Sequence, residues 1–398
     1  MALSRPAPST LDHIERLVDE GSFVPADPTE GGEARIDGRP VTIGRAGSLY
    51  ERALALNHPY VAISSGRGAP LRGGPRDLGL LDPVAGMSAG PMFPPLLARA
   101  RRVPMVSAII RHSFGDSSFF SGVCDFVVQL RGTCMALTSP RVLAIGTSEQ
   151  ISFEELGGVD VHRRNGQIDV AADDLETLDA AVRRFLSYLP SAADLPLPLA
   201  DPGAEPGEVF DRGSFFEVRG GYAPSVQTAL ARIAGIPVGV VASDPSTDDG
   251  AFTAEACLKA TRLLGLCDSF GLPVVFLIDS PAPVADGPGA TTSSLSRMLM
   301  LAQAVQLAQV PKCFVVTRRA HGAGLLITGA ARVALDLVVA WPGAQAGYFG
   351  PAAGESWAPD GIVEPGATRA RLAAHLEAVL GAAPVGRPGP LRAWPVGF

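Results

Sequence analysis

Lysine is nearly absent from this sequence, and cysteine is scarce. Only two of the 33 basic residues are lysines, Lys259 and Lys312, a bias that we attribute to coding composition and not to function. The five cysteines form no Cys-x-x-Cys pair and no Cys/His cluster at zinc spacing, and their odd number argues against a disulfide framework. We therefore expect no bound metal and a reducing, cytoplasmic environment.

Targeting and membrane signals are also missing. The first residues lack the basic flank, apolar run and cleavage site of a signal peptide, and no stretch reaches the ~18 apolar residues of a membrane helix. The net charge of −7 argues against binding to nucleic acid through phosphate contacts. The expected protein is soluble, with small molecules or proteins as partners and no nucleic-acid or membrane partner.

The sequence repeats itself. With 398 residues, 47% of them hydrophobic, the chain suits two globular domains of ~100 to 200 residues each. ARIDGRPV at 34–41 recurs as ARIAGIPV at 231–238, and EGSFVP from Glu20 recurs as RGSFFE from Arg212. A constant offset of 207 positions then separates Arg111 from Arg318 and Gly115 from Gly322. These echoes predict a duplicated domain.

Each half alternates buried strands with helical patterns. The apolar runs 59–65 and 273–280 are typical of strands covered on both faces, and LYERALALN and AEACLKATRLLGLCDSFG have helical spacing. VPMVSAII and VPKCFVVT are second strands, each followed by a glycine turn and another helix. We predict an α/β fold with an amino-terminal domain at 1–195, a linker at 196–210 and a carboxyl-terminal domain at 211–398.

The two glycine turns, RHSFGDSSFF and RRAHGAGLLITG, are candidate anion sites. The first N–H groups of a helix have no intrahelical partner and lie at the positive end of its dipole. Two converging N–H donors make an oxyanion hole, and the loops after the other strands would each add the second donor. The alternative is that the glycines only allow tight turns, which a duplication would equally preserve.

The sequence resembles the carboxyltransferase β subunits of biotin-dependent acyl-CoA carboxylases. The most specific match is ISFEELGGVDVHRRNGQIDVAADDLETLDAAVRRFLSYLPS, joined by DRGSFFEV, IAGIPVGVVASDP, CDSFGLPVVFLIDSP, VPKCFVVTRRAHGAG and DLVVAWPGAQ. The resemblance covers most of the chain and implies two tandem crotonase-like domains (the ClpP/crotonase ββα superhelix) related by internal duplication. It implies an acyl-CoA substrate held mostly by the amino-terminal domain and biotin held by the carboxyl-terminal domain.

By that resemblance, paired backbone N–H groups stabilise the acyl enolate in one domain and the biotin oxyanion in the other. The implied amino-terminal donors are Gly66 or Arg67 with Gly115 or Asp116, and the implied carboxyl-terminal donors are Ala282 with Gly322 or Ala323. His321, before Gly322, is a candidate general acid or base, against an equal alternative of a purely structural histidine. Arg111 and Arg318 are candidates for binding a substrate phosphate or carboxylate, although flanking arginines more often pair with acids.

The sequence also departs from the family. The CoA-binding segment after IDGRPVTI is missing, the family's DSGGAR is SSGRGA, and its AGGA is FGDS, which places Asp116 in the turn. The PGFLPG loop is PAPVAD, and a late helical region of roughly fifty residues in the family is shortened to AGYFGPAAGESWAPD. The buried strands are kept and the ligand-contacting loops are changed.

Three functions therefore stay open. The first is an acyl-CoA carboxyltransferase, placed in a specialised biosynthetic pathway. The second is a biotin-independent decarboxylase, hydrolase or acyl transferase acting on a β-keto acid or carrier-protein thioester. The third is a non-catalytic partner of an intact homologue. No biotin-attachment sequence is present, so any biotin comes on a partner, a biotin carboxyl carrier; an acyl carrier protein is the alternative partner, and a homo-oligomer is expected.

Overall fold

The structure is a computed structural model that describes residues 9–27, 31–45, 47–64, 100–201, 209–281, 291–322, 324–325, 336–347, 357–382 and 389–393. The described residues up to Leu186 form one compact unit, and those from Ser187 onward form a second. The linker at 196–210 stays a prediction, and its residues 202–208 lie outside the described part. None of the helices in these ranges is long and apolar enough to cross a membrane.

The first unit contains the following helices and strands, in chain order. They are α1 Thr10–Leu17, β1 Val24–Asp27, β2 Gly31–Ile36, β3 Arg39–Arg45, α2 Tyr50–Leu56, β4 Tyr60–Ser64, β5 Met105–Ile109, β6 Ser113–Phe114, α3 Asp116–Val123, β7 Phe126–Leu130, β8 Met135–Ala136, α4 Pro140–Thr147, α5 Phe153–Gly157, α6 Val159–Asn165, β9 Val170–Ala172 and α7 Leu175–Tyr188, whose last two residues belong to the second unit. The main sheet has the order β1-β2-β3-β4-β5-β7-β9, and β6 pairs with β8.

The second unit continues the same numbering. Its elements are β10 Phe216–Val218, β11 Val226–Ile233, β12 Ile236–Ser243, a 3₁₀ turn Asp248–Gly250, α8 Ala254–Phe270, β13 Val274–Ser280, α9 Thr291–Leu307, β14 Lys312–His321, β15 Leu337–Ala340, β16 Gln345–Gly347, β17 Gly361–Ile362, a 3₁₀ turn Pro365–Ala367, α10 Thr368–Ala382 and a 3₁₀ turn Pro390–Ala393. The sheet has the order β10-β11-β12-β13-β14-β15-β17, with β16 paired to β14.

The two sheets have the same construction. In each, an antiparallel hairpin (β2–β3 or β11–β12) leads into consecutive parallel strands, β3-β4-β5-β7 in the first unit and β12-β13-β14-β15 in the second. The predicted strands β4, β5, β13 and β14 are confirmed, and β4 and β5 are buried at every residue because other layers cover both faces. The duplication predicted from the sequence is thus present in the fold.

The most similar repeated segments include an aspartate, Asp19 or Asp211, that binds the turn of the hairpin through two hydrogen bonds. We call this arrangement the hairpin clamp. In the first unit, the two carboxylate oxygens of Asp19 accept hydrogen bonds from the N–H groups of Asp37 (2.9 Å) and Gly38 (2.7 Å). In the second, Asp211 accepts in the same way from Ala234 (2.9 Å) and Gly235 (2.7 Å). All four turn residues have positive φ, from 50° to 79°, as a two-residue type I′ turn requires.

The serine of each GSF triplet completes the clamp. The Ser22 hydroxyl donates to the Asp19 carbonyl (2.7 Å) and accepts from the Arg35 N–H (3.1 Å). The Ser214 hydroxyl makes the equivalent bonds, to the Asp211 carbonyl (2.7 Å) and from the Arg232 N–H (3.0 Å). The repeated letters around GSF therefore record a repeated fold element and not a ligand site.

Candidate active site

The amino-terminal turn, Gly115 and Asp116, joins β6 to α3. Gly115 has φ +64° and ψ −129°, a conformation that residues with a Cβ rarely adopt. Its N–H donates to the Leu137 carbonyl (3.2 Å), just beyond β8, and α3 begins at Asp116. The turn thus connects a strand of the β6–β8 pair to the first residue of a helix.

The carboxyl-terminal turn, which we define by Gly322 and Gly324, has the same arrangement. Gly322 follows His321 at the end of β14, with φ +55°, and its N–H donates to the Gly347 carbonyl of β16 (3.0 Å). Both turns therefore have a glycine with positive φ whose N–H bonds to a carbonyl at or just beyond the end of another strand. This equivalence goes beyond matching letters, because both glycines have a positive φ and both N–H groups make a hydrogen bond.

The N–H groups of both glycines are already hydrogen-bonded to backbone carbonyls, which leaves fewer predicted donors for the oxyanion holes. Gly115 and Gly322 were each one of two alternatives, and their amides donate within the protein. The following residues, Asp116 and Ala323, are the alternatives that remain for the oxyanion role. Asp116 is half-buried at the first position of α3. Four predicted residues lie outside the described ranges: Gly66, Arg67, Ala282 and Ala323.

The arginines before the carboxyl-terminal turn pair with acids. Arg318 Nε lies 2.7 Å from Asp279 Oδ2, and Arg319 Nε lies 2.8 Å from Asp279 Oδ1. Arg319 also binds both oxygens of Asp249 (2.7 and 2.9 Å), which holds the pKa of that carboxyl below its usual range. The exposed side chain of Arg318 is 58% accessible, so part of its guanidinium still faces solvent, while Arg111 is half-buried between β5 and β6.

The histidines near the turns differ in their surroundings. His321 is half-buried, and its Nδ1 is enclosed without a hydrogen-bond partner in the described part of the chain. His112 stacks on Phe153, with ring centroids 4.2 Å apart and planes 9° apart, and burial lowers its pKa. No described contact assigns His321 a fixed structural bond, so its acid or base role stays a prediction.

His162 belongs to the ELGG segment and lies behind the amino-terminal turn. Burial lowers its pKa to about 4, opposed by a hydrogen bond to the Met135 carbonyl of β8. A Cβ on Gly157 would lie 2.1 Å from that same carbonyl oxygen and 3.0 Å from the His162 Nε2. The glycine therefore lets α5 approach β8, which explains this motif through packing and supports the structural interpretation of His162.

Three buried serine hydroxyls form a cluster that was not predicted from the sequence. Ser64 at the end of β4, Ser107 in β5 and Ser121 in α3 are fully buried and lie within 2.8 to 3.2 Å of one another. Ser121 also donates to the Ser117 carbonyl (2.9 Å), in the first turn of the same helix. These contacts attach α3 to the sheet. The signal in the sequence was serine inside otherwise apolar strand and helix segments.

Metal chemistry and thiol chemistry have no support in the described residues. Within them no three His, Cys, Asp or Glu side chains lie together as a metal site would require. All five cysteines are buried, and burial raises the pKa of Cys134 to about 11 and those of Cys257 and Cys313 to about 12.

A surface cavity of about 460 Å³ shares no lining residue with either turn, and its Arg131 pairs with Asp173.

The duplicated sheets and turns define the class: a two-domain α/β protein with one candidate oxyanion turn in each half. The model of the carboxyl transferase domain matches residues 39–208 and again 207–357. This chain therefore belongs to the carboxyl transferase domain family.

Curated relatives agree with that assignment. The beta5 subunit of a biotin-dependent acetyl-/propionyl-coenzyme A carboxylase from Mycobacterium tuberculosis is 28% identical, over 85% of this chain and 73% of its own length. The methylmalonyl-CoA carboxyltransferase 12S subunit of Propionibacterium freudenreichii is 28% identical, over 83% and 69%. The propionyl-CoA carboxylase beta chain of Saccharopolyspora erythraea is 28% identical, over 85% and 74%.

Solved structures show the same fold. Transcarboxylase 12S, described as a hexamer with hydrolysed methylmalonyl-coenzyme A bound, superposes with a TM-score of 0.81 at 23% identity, covering 94% of this chain and 89% of that one. A single-chain, multi-domain long-chain acyl-CoA carboxylase gives a TM-score of 0.75 at 23% identity, covering 92% and 45%. The chain has two crotonase-like domains, as the sequence predicted, and is a carboxyltransferase-class enzyme.

Proposed function

We propose that this protein is an acyl-CoA carboxyltransferase subunit that moves a carboxyl group between an acyl thioester and biotin carried by another protein. Its relatives are named as biotin-dependent carboxylase subunits and a methylmalonyl-CoA carboxyltransferase. The amino-terminal turn serves the thioester and the carboxyl-terminal turn serves biotin. A homo-oligomer, a biotin carboxyl carrier as partner and a place in a biosynthetic pathway belong to the same proposal.

The observation that supports this proposal most directly is the repeated turn. Gly115 and Gly322 both have a positive φ, and their N–H groups donate to the carbonyls of Leu137, just beyond β8, and Gly347, in β16. In the first unit, the positive end of α3 then lies at Asp116. Such an end, with an N–H directed at a carbonyl oxygen, stabilises negative charge as it develops there.

In the direction from thioester to biotin, a carboxyl group and a proton exchange places between the two substrates. The bond between the α-carbon and the carboxyl carbon breaks, and its electron pair becomes an enolate whose charge lies on the thioester oxygen, near the Asp116 amide. A new bond joins the carboxyl carbon to the biotin ring nitrogen, whose proton is replaced. That proton is taken up at the α-carbon, so no oxidant or reductant is needed. The chain supplies orientation and charge stabilisation.

The test is turnover of methylmalonyl-CoA with free biotin by the purified full chain. We expect propionyl-CoA to form only when biotin is present. Asp116→Pro removes one N–H while proline is tolerated at the first position of a helix, so activity should fall about 100-fold. Asp116→Ala keeps the N–H and should retain most activity.

Other outcomes would contradict the proposal. Release of CO₂ without biotin would favour the decarboxylase. Absence of turnover by the chain alone, with turnover restored by an intact homologue, would favour the non-catalytic partner. Equal loss in the proline and alanine variants, with both proteins folded, would remove the amide of Asp116 from the mechanism.

A further inference from the structure

The strands that lead to the carboxyl-terminal turn are out of regular register. Ile278 of β13 pairs with Val316 of β14, but Ser280 pairs with Ala320, so one residue of β13 faces three residues of β14. Bulges of this kind redirect side chains and are common beside active sites. Here the bulge brings Ser280 level with the residue that precedes His321.

The side-chain hydrogen bonds that stabilise the bulge involve Thr317, Asp279 and two arginines, and none of them involves Ser280. The Thr317 hydroxyl donates to the Ile278 carbonyl (3.0 Å), and Arg318 and Arg319 both bind Asp279. Together with Asp249, Asp279 and the two arginines contribute two carboxylates and two guanidiniums, so the formal charges of these four side chains cancel. A negatively charged oxygen can therefore approach this end of β13 without meeting an unpaired carboxylate from these side chains.

The Ser280 hydroxyl is enclosed but unused. Ser280 is 1% exposed, and within the described ranges its Oγ has no hydrogen-bond partner. A Cβ built on Gly324 would lie 3.6 Å from this oxygen and 3.5 Å from the Ser280 Cβ, so the hydroxyl lies directly against the turn. Buried hydroxyls are nearly always hydrogen-bonded, so an exception calls for an explanation, such as a catalytic role or a bound water or ion.

We propose that the Ser280 hydroxyl donates a hydrogen bond to an oxygen of the ligand at the carboxyl-terminal turn. The inference rests on the proposed function, in which this ligand is the ureido ring of biotin and the bonded atom is its oxygen. A serine hydroxyl has one proton to donate, and a ureido oxygen can only accept. Gly324 assists because the missing Cβ leaves methyl-sized space beside the hydroxyl.

Two variants test the proposal in the full chain. Ser280→Ala removes the donor, and Gly324→Ala fills the space in front of it. Each should lower kcat/KM for free biotin about 10- to 100-fold and weaken biotin binding measured by calorimetry. Ser280→Thr keeps a hydroxyl and should retain more activity than Ser280→Ala. Ser269→Ala is the matched control, since it removes a fully buried hydroxyl of the same unit that already bonds to the Gly265 carbonyl.

The unfolding midpoint separates a ligand role from a structural one. Because the Ser280 hydroxyl has no hydrogen-bond partner among the described residues, Ser280→Ala should leave the midpoint unchanged or raise it, while binding falls. A lowered midpoint with unchanged kinetics and binding would overturn the inference, since the hydroxyl would then serve the fold.

The remaining outcomes distinguish the two proposals. Wild-type transfer with equal activity in Ser280→Ala would overturn the inference and leave the proposed function intact. Biotin binding that depends on Ser280, without any carboxyl transfer, would support the inference and contradict the proposed function. Failure of the wild type to bind free biotin at millimolar concentration would overturn the inference, whatever its activity toward methylmalonyl-CoA.

Discussion

Arg319 Nε lies 2.8 Å from Oδ1 of Asp279, and the rest of the same guanidinium binds Asp249. One side chain of β14 thereby joins the end of β13 to the 3₁₀ turn that follows β12. Gly250 of that turn approaches so closely that a Cβ would lie 2.3 Å from the Asp279 carbonyl oxygen. The carboxyl ends of three neighbouring strands are thus joined beside Gly322.

Removing this guanidinium should destabilise the protein. Arg319→Gln leaves the buried Asp279 with one arginine, and we expect a loss of about 2 kcal/mol, typical of a charged hydrogen bond. Arg131→Gln is the control, because Arg131 also binds two acids but all three side chains are about half exposed or more. Exposed pairs contribute little, so its urea midpoint should barely move. Equal effects would contradict the role of burial.

The hairpin clamps predict a stabilising substitution. Ala234 occupies the first central position of a type I′ turn with φ +51°, where a Cβ is unfavourable. Ala234→Gly should raise stability by about 0.5 to 1 kcal/mol, because its N–H bond to Asp211 is retained. Ala231→Gly, three residues earlier in β11, should instead destabilise, since glycine weakens a strand. Thermal unfolding of both variants checks the opposite signs.

Much of this architecture could be predicted from the sequence because it depends on local pattern. The strands β4, β5, β13 and β14 were visible as apolar runs, and the helix α8 as a long periodic segment. The repeat was visible because both copies keep a turn that needs left-handed residues. These features follow from burial and backbone conformation. Both depend on the types of residue in a short segment, so they can be recognised in the sequence.

The remaining features depend on contacts between distant positions. The bonds from Gly115 to Leu137 and from Gly322 to Gly347 decide which amides are used within the fold, and no local pattern reveals them. The bulge that brings Asp279 to both arginines is likewise a matter of strand register. Repetition located the candidate turns, but the backbone hydrogen bonds were needed to see that the Gly115 and Gly322 amides already have partners.

His162 predicts acid sensitivity. Burial holds its pKa at about 4 in the folded chain, against about 6.5 when unfolded. Between those values the unfolded chain binds a proton that the folded chain does not, so stability should fall as pH drops from 6.5 to 4. At about 1.4 kcal/mol per pKa unit, the loss approaches about 3 kcal/mol. Urea midpoints at pH 7.5 and 4.5 should differ less in His162→Gln, and an unchanged difference would exclude His162 as the cause.

The two lysines should be protected from amine reagents. Lys259 donates to the Tyr222 and Val226 carbonyls, both at 2.8 Å, and burial lowers its pKa to about 8. Lys312 is fully buried, with its Nζ 3.2 Å from Asp336 and 3.0 Å from the Ala308 carbonyl. Because each amine is enclosed, its reaction requires opening of the fold.

Acetic anhydride at pH 8, followed by peptide mass spectrometry, checks this protection. We expect neither Lys259 nor Lys312 to be acetylated in the folded chain and both to react in urea. Arg163→Lys places an amine on the exposed face of α6 and should react under both conditions, which controls for the reagent. Rapid acetylation of Lys259 in the folded wild type would show that its pocket opens on the timescale of the reaction, contrary to a closed packing of α8 against the segment from Tyr222 to Val226.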